Sequence, residues 1–289
     1  MRVDVWTDIN CPFCYIGKAR FEKALEGFEH SGDVQVIHRS FELDPSATPG
    51  SSEPVVPMIA KKYGISEAEA AANERGLGAQ AQELGLQYQV SGRDAGNSFD
   101  MHRLLHWALE LGRQEALLDA LYAANFASAD PAFGDRERLV AIAESAGFDG
   151  AAARAVLDDE TAYADAVRAD EATASKIGIN GVPFFVFDGK YAVSGAQLPS
   201  VFTQALDRAW ADRPEPLTVI GDDDASACGP DGCELPARDW FRARRASRRP
   251  RPARHRRSPL RRRRCRRSGY RRGSGPGSRS GAWAPGRLP

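Results

Sequence analysis

Two cysteines, Cys11 and Cys14, stand where a strand pattern ends and a helix pattern begins. Before them, Val3, Val5 and Thr7 alternate with Asp4, Trp6 and Asp8. That is the period of a strand, and large residues on both sides mark it as central in its sheet. After them, Phe13, Ile16, Phe21, Ala24, Leu25 and Phe28 fall at helical spacing. Pro12 suits the first helical turn, where its missing N–H costs nothing. Gly27 and Gly32 mark the region where the helix ends. Val34, Val36 and Ile37 then open a second strand, VQVIHRSFEL, which runs into Asp44-Pro45. Residues 1–45 therefore read as a βαβ unit.

SATPGSSEPVVP is a loop by composition. From Pro57 to Ile177 the chain reads as helical almost throughout. Gly76 and Gly78 weaken the middle of SEAEAAANERGLGAQAQELG. NSFDMHRLLHWALELG is the most amphipathic stretch, and Asn97 with Asp100 resembles a capping box with Asp in place of Glu. Further helices are predicted over 114–128, 134–147, 151–157 and 159–176. Strand character returns in VPFFVFDGKYAVSG, a hairpin with an Asp-Gly turn. Residues 198–210 close the pattern with a helix. The order is βαβ, an all-helical insertion, then ββα: an α/β chain.

The zero net charge hides an asymmetry. From Trp240 onward there are 19 arginines and no acid, which leaves 20 basic against 39 acidic residues before it. An acidic body thus precedes a strongly basic tail. Five cysteines are too few for a disulfide scaffold in 289 residues, but enough for a redox or metal site. MRVDVWTDIN lacks the apolar run of a secretory signal, and no stretch has the composition of a membrane span. The expectation is a soluble, cytoplasmic protein.

On the residues alone, Cys11 and Cys14 are a redox dithiol, half a zinc site or two core cysteines. The N-terminal end of a helix carries roughly half a positive charge, which stabilises a thiolate. On the redox reading Cys11 is the exposed nucleophile, and Cys14, one turn in, resolves the mixed disulfide. A zinc site needs more ligands, and His30 and His38 are not at finger spacing. A strand-to-helix corner is a poor place for a purely structural pair.

The second element is KIGINGVPFFVF, a proline immediately before an apolar strand. X-Pro bonds are the ones that readily become cis. CPFCYIGK, a helical insertion and GVPFFVFDGKYAVSGAQ, in that order, resemble the DsbA-like branch of the thioredoxin superfamily, and within it the FrnE-type subgroup. RSFELDP at 39–45 and NSFDMHR at 97–103 share the likeness, which covers about residues 1–212. The resemblance implies a thioredoxin-like domain from 1–45 and 178–212, with residues 46–177 as the insertion. It implies a thiol–disulfide oxidoreductase that needs no organic cofactor or metal and acts on protein or small-molecule thiols and disulfides. Pro183 would be the cis-proline, with Val182, Pro12 and Phe13 lining the substrate groove; backbone at Val182 would pair with an extended substrate. Related 2-hydroxychromene-2-carboxylate isomerases and kappa-class glutathione transferases carry serine where Cys11 stands. That departure favours disulfide exchange over glutathione-dependent isomerase or transferase chemistry, the alternative reading, in which glutathione would be the cofactor.

Supporting candidates are fewer. His102 is a candidate proton shuttle or a surface residue, Asn97 a site residue or a cap, and Lys18 a source of positive potential near Cys14 or a solvated cation. Ser194 to Gln197 is a candidate glutathione loop or a plain helix start. Cys228 and Cys233 flank Gly-Pro-Asp-Gly, which is strong turn chemistry, in a linker over 213–239. FrnE-type proteins often carry such a pair, and it reads as an auxiliary redox relay, a local disulfide or a metal clip. The arginine-rich segment 240–289 is expected to be disordered. It would bind nucleic acid or another polyanion if genuine; a shifted reading frame in a GC-rich gene gives the same composition. A non-enzymatic reading, as a holdase or polyanion binder, uses the insertion or this tail.

Overall fold

A computed structural model describes residues 1–213 apart from Ala129 and Pro131, together with the backbone of 228–229 and 232–233. The elements run β1 (Arg2–Thr7), α1 (Pro12–Glu26), β2 (Gln35–Ser40), β3 (Ser52–Pro54), α2 (Val55–Tyr63), α3 (Glu67–Glu83), β4 (Asp94–Gly96) and α4 (Phe99–Glu110). They continue with α5 (Gln114–Phe126), α6 (Arg136–Ser145), α7 (Gly150–Asp158), α8 (Ala164–Lys176), β5 (Phe184–Phe187), β6 (Tyr191–Ser194) and α9 (Pro199–Ala211). All belong to one compact unit, Met1–Leu217.

The four-stranded sheet has the order β2-β1-β5-β6. β1 runs parallel to β2 and antiparallel to β5, with Val5 opposite His38 on one side and Phe185 on the other. The alternation in β1 is explained by cover on both faces. Val3 and Val5 pack with Phe21, Phe185, Phe187, Phe202 and Leu206, so α1 and α9 close one face. Trp6 packs with Ala174 and Ile179 on the other, and its indole N–H donates to the Asp170 carbonyl of α8 at 3.1 Å. The β5–β6 hairpin turns at Asp188 and Gly189 with φ of 46° and 67°. Two positive φ values are what a tight right-twisted hairpin demands, and Asp-Gly supplies them.

β2 is an edge strand, and an uncovered edge leaves backbone donors and acceptors unpaired. Two side chains from the intervening helices take the place of a neighbouring strand. Gln114 at the start of α5 accepts from the His38 N–H and donates to the His38 carbonyl, both at 2.9 Å. Asp170 in α8 accepts from the Ser40 N–H at 3.0 Å and pairs with Arg39 at 3.3 Å. The helices are thus bolted to the sheet through polar groups that β2 cannot satisfy itself.

Three expectations need correction. The segment 46–177 is not wholly helical: β3 and β4 form an antiparallel ribbon, Ser52 opposite Gly96. Neither strand shows alternation, and Gly96 is required because a Cβ there would meet the Ser51 carbonyl oxygen at 2.3 Å. The capping box at Asn97 and Asp100 does not form. Ser98 is the N-cap and its side chain makes no capping bond. Asn97, one residue earlier, accepts from the Phe99 N–H at 3.0 Å, while Asp100 turns to Arg103 and Arg136. The helix expected over 159–176 begins only at Ala164, after Tyr163 takes a left-handed φ of 59°. By contrast α3 runs unbroken through Gly76 and Gly78, started by a true capping box between Ser66 and Glu69. Gly78 gives room for Val90, whose Cγ1 would lie 2.7 Å from an added Cβ.

Gln114→Ala should cost about 3 kcal/mol, since it strands a buried N–H and a buried C=O at once. Urea unfolding of the variant against the parent measures this directly.

Candidate active site

The chain leaves β1 and enters α1 within four residues, and Asp8 holds that corner. Its carbonyl accepts from the Cys11 N–H at 3.1 Å, and its carboxylate accepts from the Asn10 N–H at 3.2 Å and the Leu43 N–H at 2.7 Å. Asp8 is completely buried. Burial alone would raise its carboxyl, but the neighbouring His102 ring, the Leu43 N–H and the Ser98 hydroxyl together hold it below the ordinary range. Cys11 is the N-cap of α1 and Pro12 its first residue, as expected.

Cys11 is not exposed as expected, since only 4% of it is accessible. Its Sγ lies 3.5 Å from the Val182 carbonyl oxygen, to which the thiol donates. Cys14 is 1% accessible and sits deeper. Both belong to the apolar cluster of Met101, Leu104, Leu121, Tyr122 and Phe126, so α4 and α5 roof the dithiol. Burial pushes the Cys14 thiol well up, and the adjacent Cys11 pushes it further. The Thr7 hydroxyl and the Asp8 backbone N–H pull it down. The Thr7 hydroxyl is in turn bonded to the buried Tyr122 hydroxyl. That pairing leaves the Thr7 hydroxyl able to donate toward an ionised Cys14 while Tyr122 donates to Thr7.

The Val182–Pro183 peptide bond is cis, and Pro183 is buried against α1. A Cβ on Gly17 would lie 2.9 Å from Pro183 Cγ and 3.3 Å from Ala196 Cβ. Glycine at 17 is what lets the helix and the proline loop approach. The Gly195 N–H donates to the Pro183 carbonyl at 2.8 Å, which ties this loop to the end of β6.

A groove of about 1120 Å³ opens beside the dithiol. Cys11, Pro12 and Phe13 form one wall with Val182, and the loop after β2 with β3, β4, α2 and α3 forms the rest. Cys14 and Pro183 are not among its lining residues.

The supporting candidates are placed as follows. His102 is 1% accessible, not a surface residue, and its Nε2 lies 3.6 Å from Asp8. Asn97 Nδ2 donates to Glu42 and to the Ala47 carbonyl, away from the thiols. Lys18 is neither solvated nor a source of net positive potential. It is buried among Glu22, Glu115 and Asp119, with Asp119 at 2.7 Å, and their carboxylates more than offset its charge. Ser194 to Gln197 lies behind the proline loop, where Ala196 accepts from Arg20 at 2.6 Å, and does not line the groove. In the backbone, Cys228 stands directly opposite Cys233; their side chains, the linker around them, Cys265 and the arginine-rich segment lie outside the described residues. No cluster of potential metal ligands occurs among the described residues, and none of their helices is long and apolar enough to cross a membrane. Sequence reasoning missed Thr7, Asp8, Gly17 and Tyr122. Asp8, a charged residue inside a strand-to-helix corner, was the one with a visible signal.

The model of the DSBA-like thioredoxin domain matches residues 2–207. The chain belongs to the DsbA-like thioredoxin family. A solved structure from Streptomyces coelicolor, described as a probable DsbA oxidoreductase, is 57% identical with a TM-score of 0.74, over 82% of this chain and 99% of that one. The uncharacterized protein YwbO of Bacillus subtilis (strain 168) is 29% identical over 208 residues, 71% of this chain and 96% of its own. A 2-hydroxychromene-2-carboxylate isomerase structure, 18% identical, shares the fold with a TM-score of 0.53, over 72% of this chain and 95% of that one. DsbA-like membership agrees with the likeness carried by CPFC and GVP, and with the mixed sheet and its helices.

Thr7→Val should raise the apparent pKa for release of a mixed disulfide by roughly one to two units, because the Cys14 thiolate loses its donor, and Tyr122→Phe, which removes only the partner of Thr7, should raise it by less. Rate–pH profiles of the release step check this; the rate should rise with pH in every case, later in the variants.

Proposed function

We propose that this DsbA-like protein is a thiol–disulfide oxidoreductase acting through Cys11 and Cys14 on protein or small-molecule thiols and disulfides. The observation that carries the reading is the unequal access of two adjacent thiols: Cys11 lines the groove and Cys14 does not. Cys11 sits at the helix N-terminus, where a thiolate is favoured. As thiolate it attacks a substrate disulfide, forming a Cys11–substrate bond and releasing the other sulfur as a thiolate. Cys14 then attacks Cys11, closing the internal disulfide and releasing the second substrate sulfur. Reversal of both steps transfers the disulfide to a substrate dithiol. Val182, held next to cis-Pro183, joins Cys11, Pro12 and Phe13 in the wall that the substrate meets. The chemistry runs on the protein's own sulfurs and draws on no organic cofactor; glutathione is one candidate exchange partner.

The domain division into 1–45 with 178–212 and 46–177, and a cytoplasmic setting, are part of the same reading. So is an auxiliary role for Cys228 and Cys233, whose directly opposed backbone positions suit a disulfide.

Cys11→Ser should abolish disulfide exchange, and Cys14→Ser should accumulate a stable mixed disulfide on Cys11. Insulin reduction and mass spectrometry of trapped adducts, with and without glutathione, test this. Full activity in Cys11→Ser would sink the proposal. Saturable glutathione binding with turnover of a small aromatic substrate, undiminished in Cys14→Ser, would point instead to isomerase or transferase chemistry.

A further inference from the structure

The groove beside Cys11 is larger than the roughly 300–1,000 Å³ usual for small-molecule pockets. Large apolar side chains cluster in its lining beside the thiol. Phe13, Leu43 and Tyr63, which are 47%, 39% and 65% accessible, all face into it, and Met58 and Leu77 extend the same surface. Clustered exposed apolar side chains mark a contact surface rather than ordinary solvent exposure.

Its charges are one-sided. Glu74 and Arg93 pair at 2.6 Å inside the wall and cancel. Of the other lining residues, Asp44, Glu53 and Asp94 are acidic and Lys62 alone is basic. The Ser46 hydroxyl, the Ser46 N–H and Lys62 lower the Asp44 carboxyl, which stays ionised at neutral pH. The acidic body around the groove adds to the same field.

We infer that this groove selects disulfides carried on extended, apolar polypeptide segments with lysine or arginine beside the cysteine, and disfavours glutathione disulfide. The inference rests on the exchange chemistry proposed for Cys11. Phe13, Leu43 and Tyr63 take the apolar side chains, and Asp44 and Glu53 take the cation. Each glutathione carries one more carboxylate than ammonium group, and it meets repulsion with little apolar surface to offset it. The groove thereby decides which disulfide reaches Cys11, while the sulfur chemistry is unchanged. The Cys11 thiolate attacks, the substrate S–S bond breaks, and the displaced sulfur leaves as a thiolate that takes a proton from water.

The test uses the full chain carrying Cys14→Ser, so that reaction stops at the mixed disulfide. Four oxidants are compared: two apolar peptide disulfides differing only in lysine or glutamate beside the cysteine, glutathione disulfide, and neutral hydroxyethyl disulfide. Rates of adduct formation on Cys11 are read at low and high salt. The lysine peptide should react about tenfold faster than the glutamate peptide at low salt, and the two should converge as salt screens the charges. Asp44→Lys combined with Glu53→Lys, and the milder Asp44→Asn with Glu53→Gln, should shrink that ratio when each rate is normalised to hydroxyethyl disulfide. The basic tail is common to all variants and drops out of the comparison. Equal peptide rates, a preference that survives charge reversal, or glutathione disulfide as fast as the lysine peptide would overturn the inference and leave the exchange chemistry standing. If even hydroxyethyl disulfide fails to react, the exchange chemistry itself is wrong, and the inference falls with it.

Discussion

A single buried carboxylate organises this molecule's reactive end. Asp8 follows β1 directly, and through its carbonyl and carboxylate it fixes the backbone at Asn10 and Cys11. The same carboxylate reaches across to Leu43, at the head of the loop that forms the groove's edge, and faces His102 on α4. A buried anion is costly unless it is fully bonded. Here its bonding groups come from three separate stretches of chain, and satisfying it places the N-terminus of α1, the groove and the roof of the site together. The thiols inherit their geometry from a group that has no sulfur chemistry of its own.

The next constraint is closeness. Gly17 allows Pro183 to pack directly on α1, and Gly195 holds the proline loop from behind. The Cys11 thiol is left against the Val182 carbonyl at the groove's mouth, while Cys14 faces Thr7 and the hydroxyl of Tyr122 behind it. Two chemically identical side chains three residues apart thus occupy different environments. One meets the groove; the other is desolvated beside a buried hydroxyl pair. The proposed division into attacking and resolving sulfurs follows from that difference.

Much of this was legible in the sequence, and the reasons differ by element. β1 announced its central position because both of its faces are covered, by Phe21 and Phe202 on one side and Ala174 on the other. The β5–β6 hairpin was readable because Asp188-Gly189 meets a backbone demand that few residue pairs meet. CPFC and GVP were readable because each carries its own local chemistry. What stayed hidden depended on contacts distant in sequence. β3 and β4 have no pattern of their own and exist through each other. Lys18 looked solvated because the carboxylates of Glu115 and Asp119 arrive from α5. Gln114 and Asp170 carry no signal of their own in the sequence, because what calls for them is the bare edge of β2. The roof over the dithiol also defeated the expectation of an exposed Cys11, since Met101, Leu104 and Tyr122 all come from helices outside the βαβ unit.

The most direct measurement of the central claim is a redox titration of the full chain in defined thiol buffers, with the bonded cysteines mapped by mass spectrometry at each poise. The expected result is one two-electron transition in which Cys11 and Cys14 become joined to each other. The contradicting result is a chain in which these two cysteines never bond at any poise, whether both remain thiols or Cys11 ends as a stable adduct with the buffer thiol while Cys14 stays free.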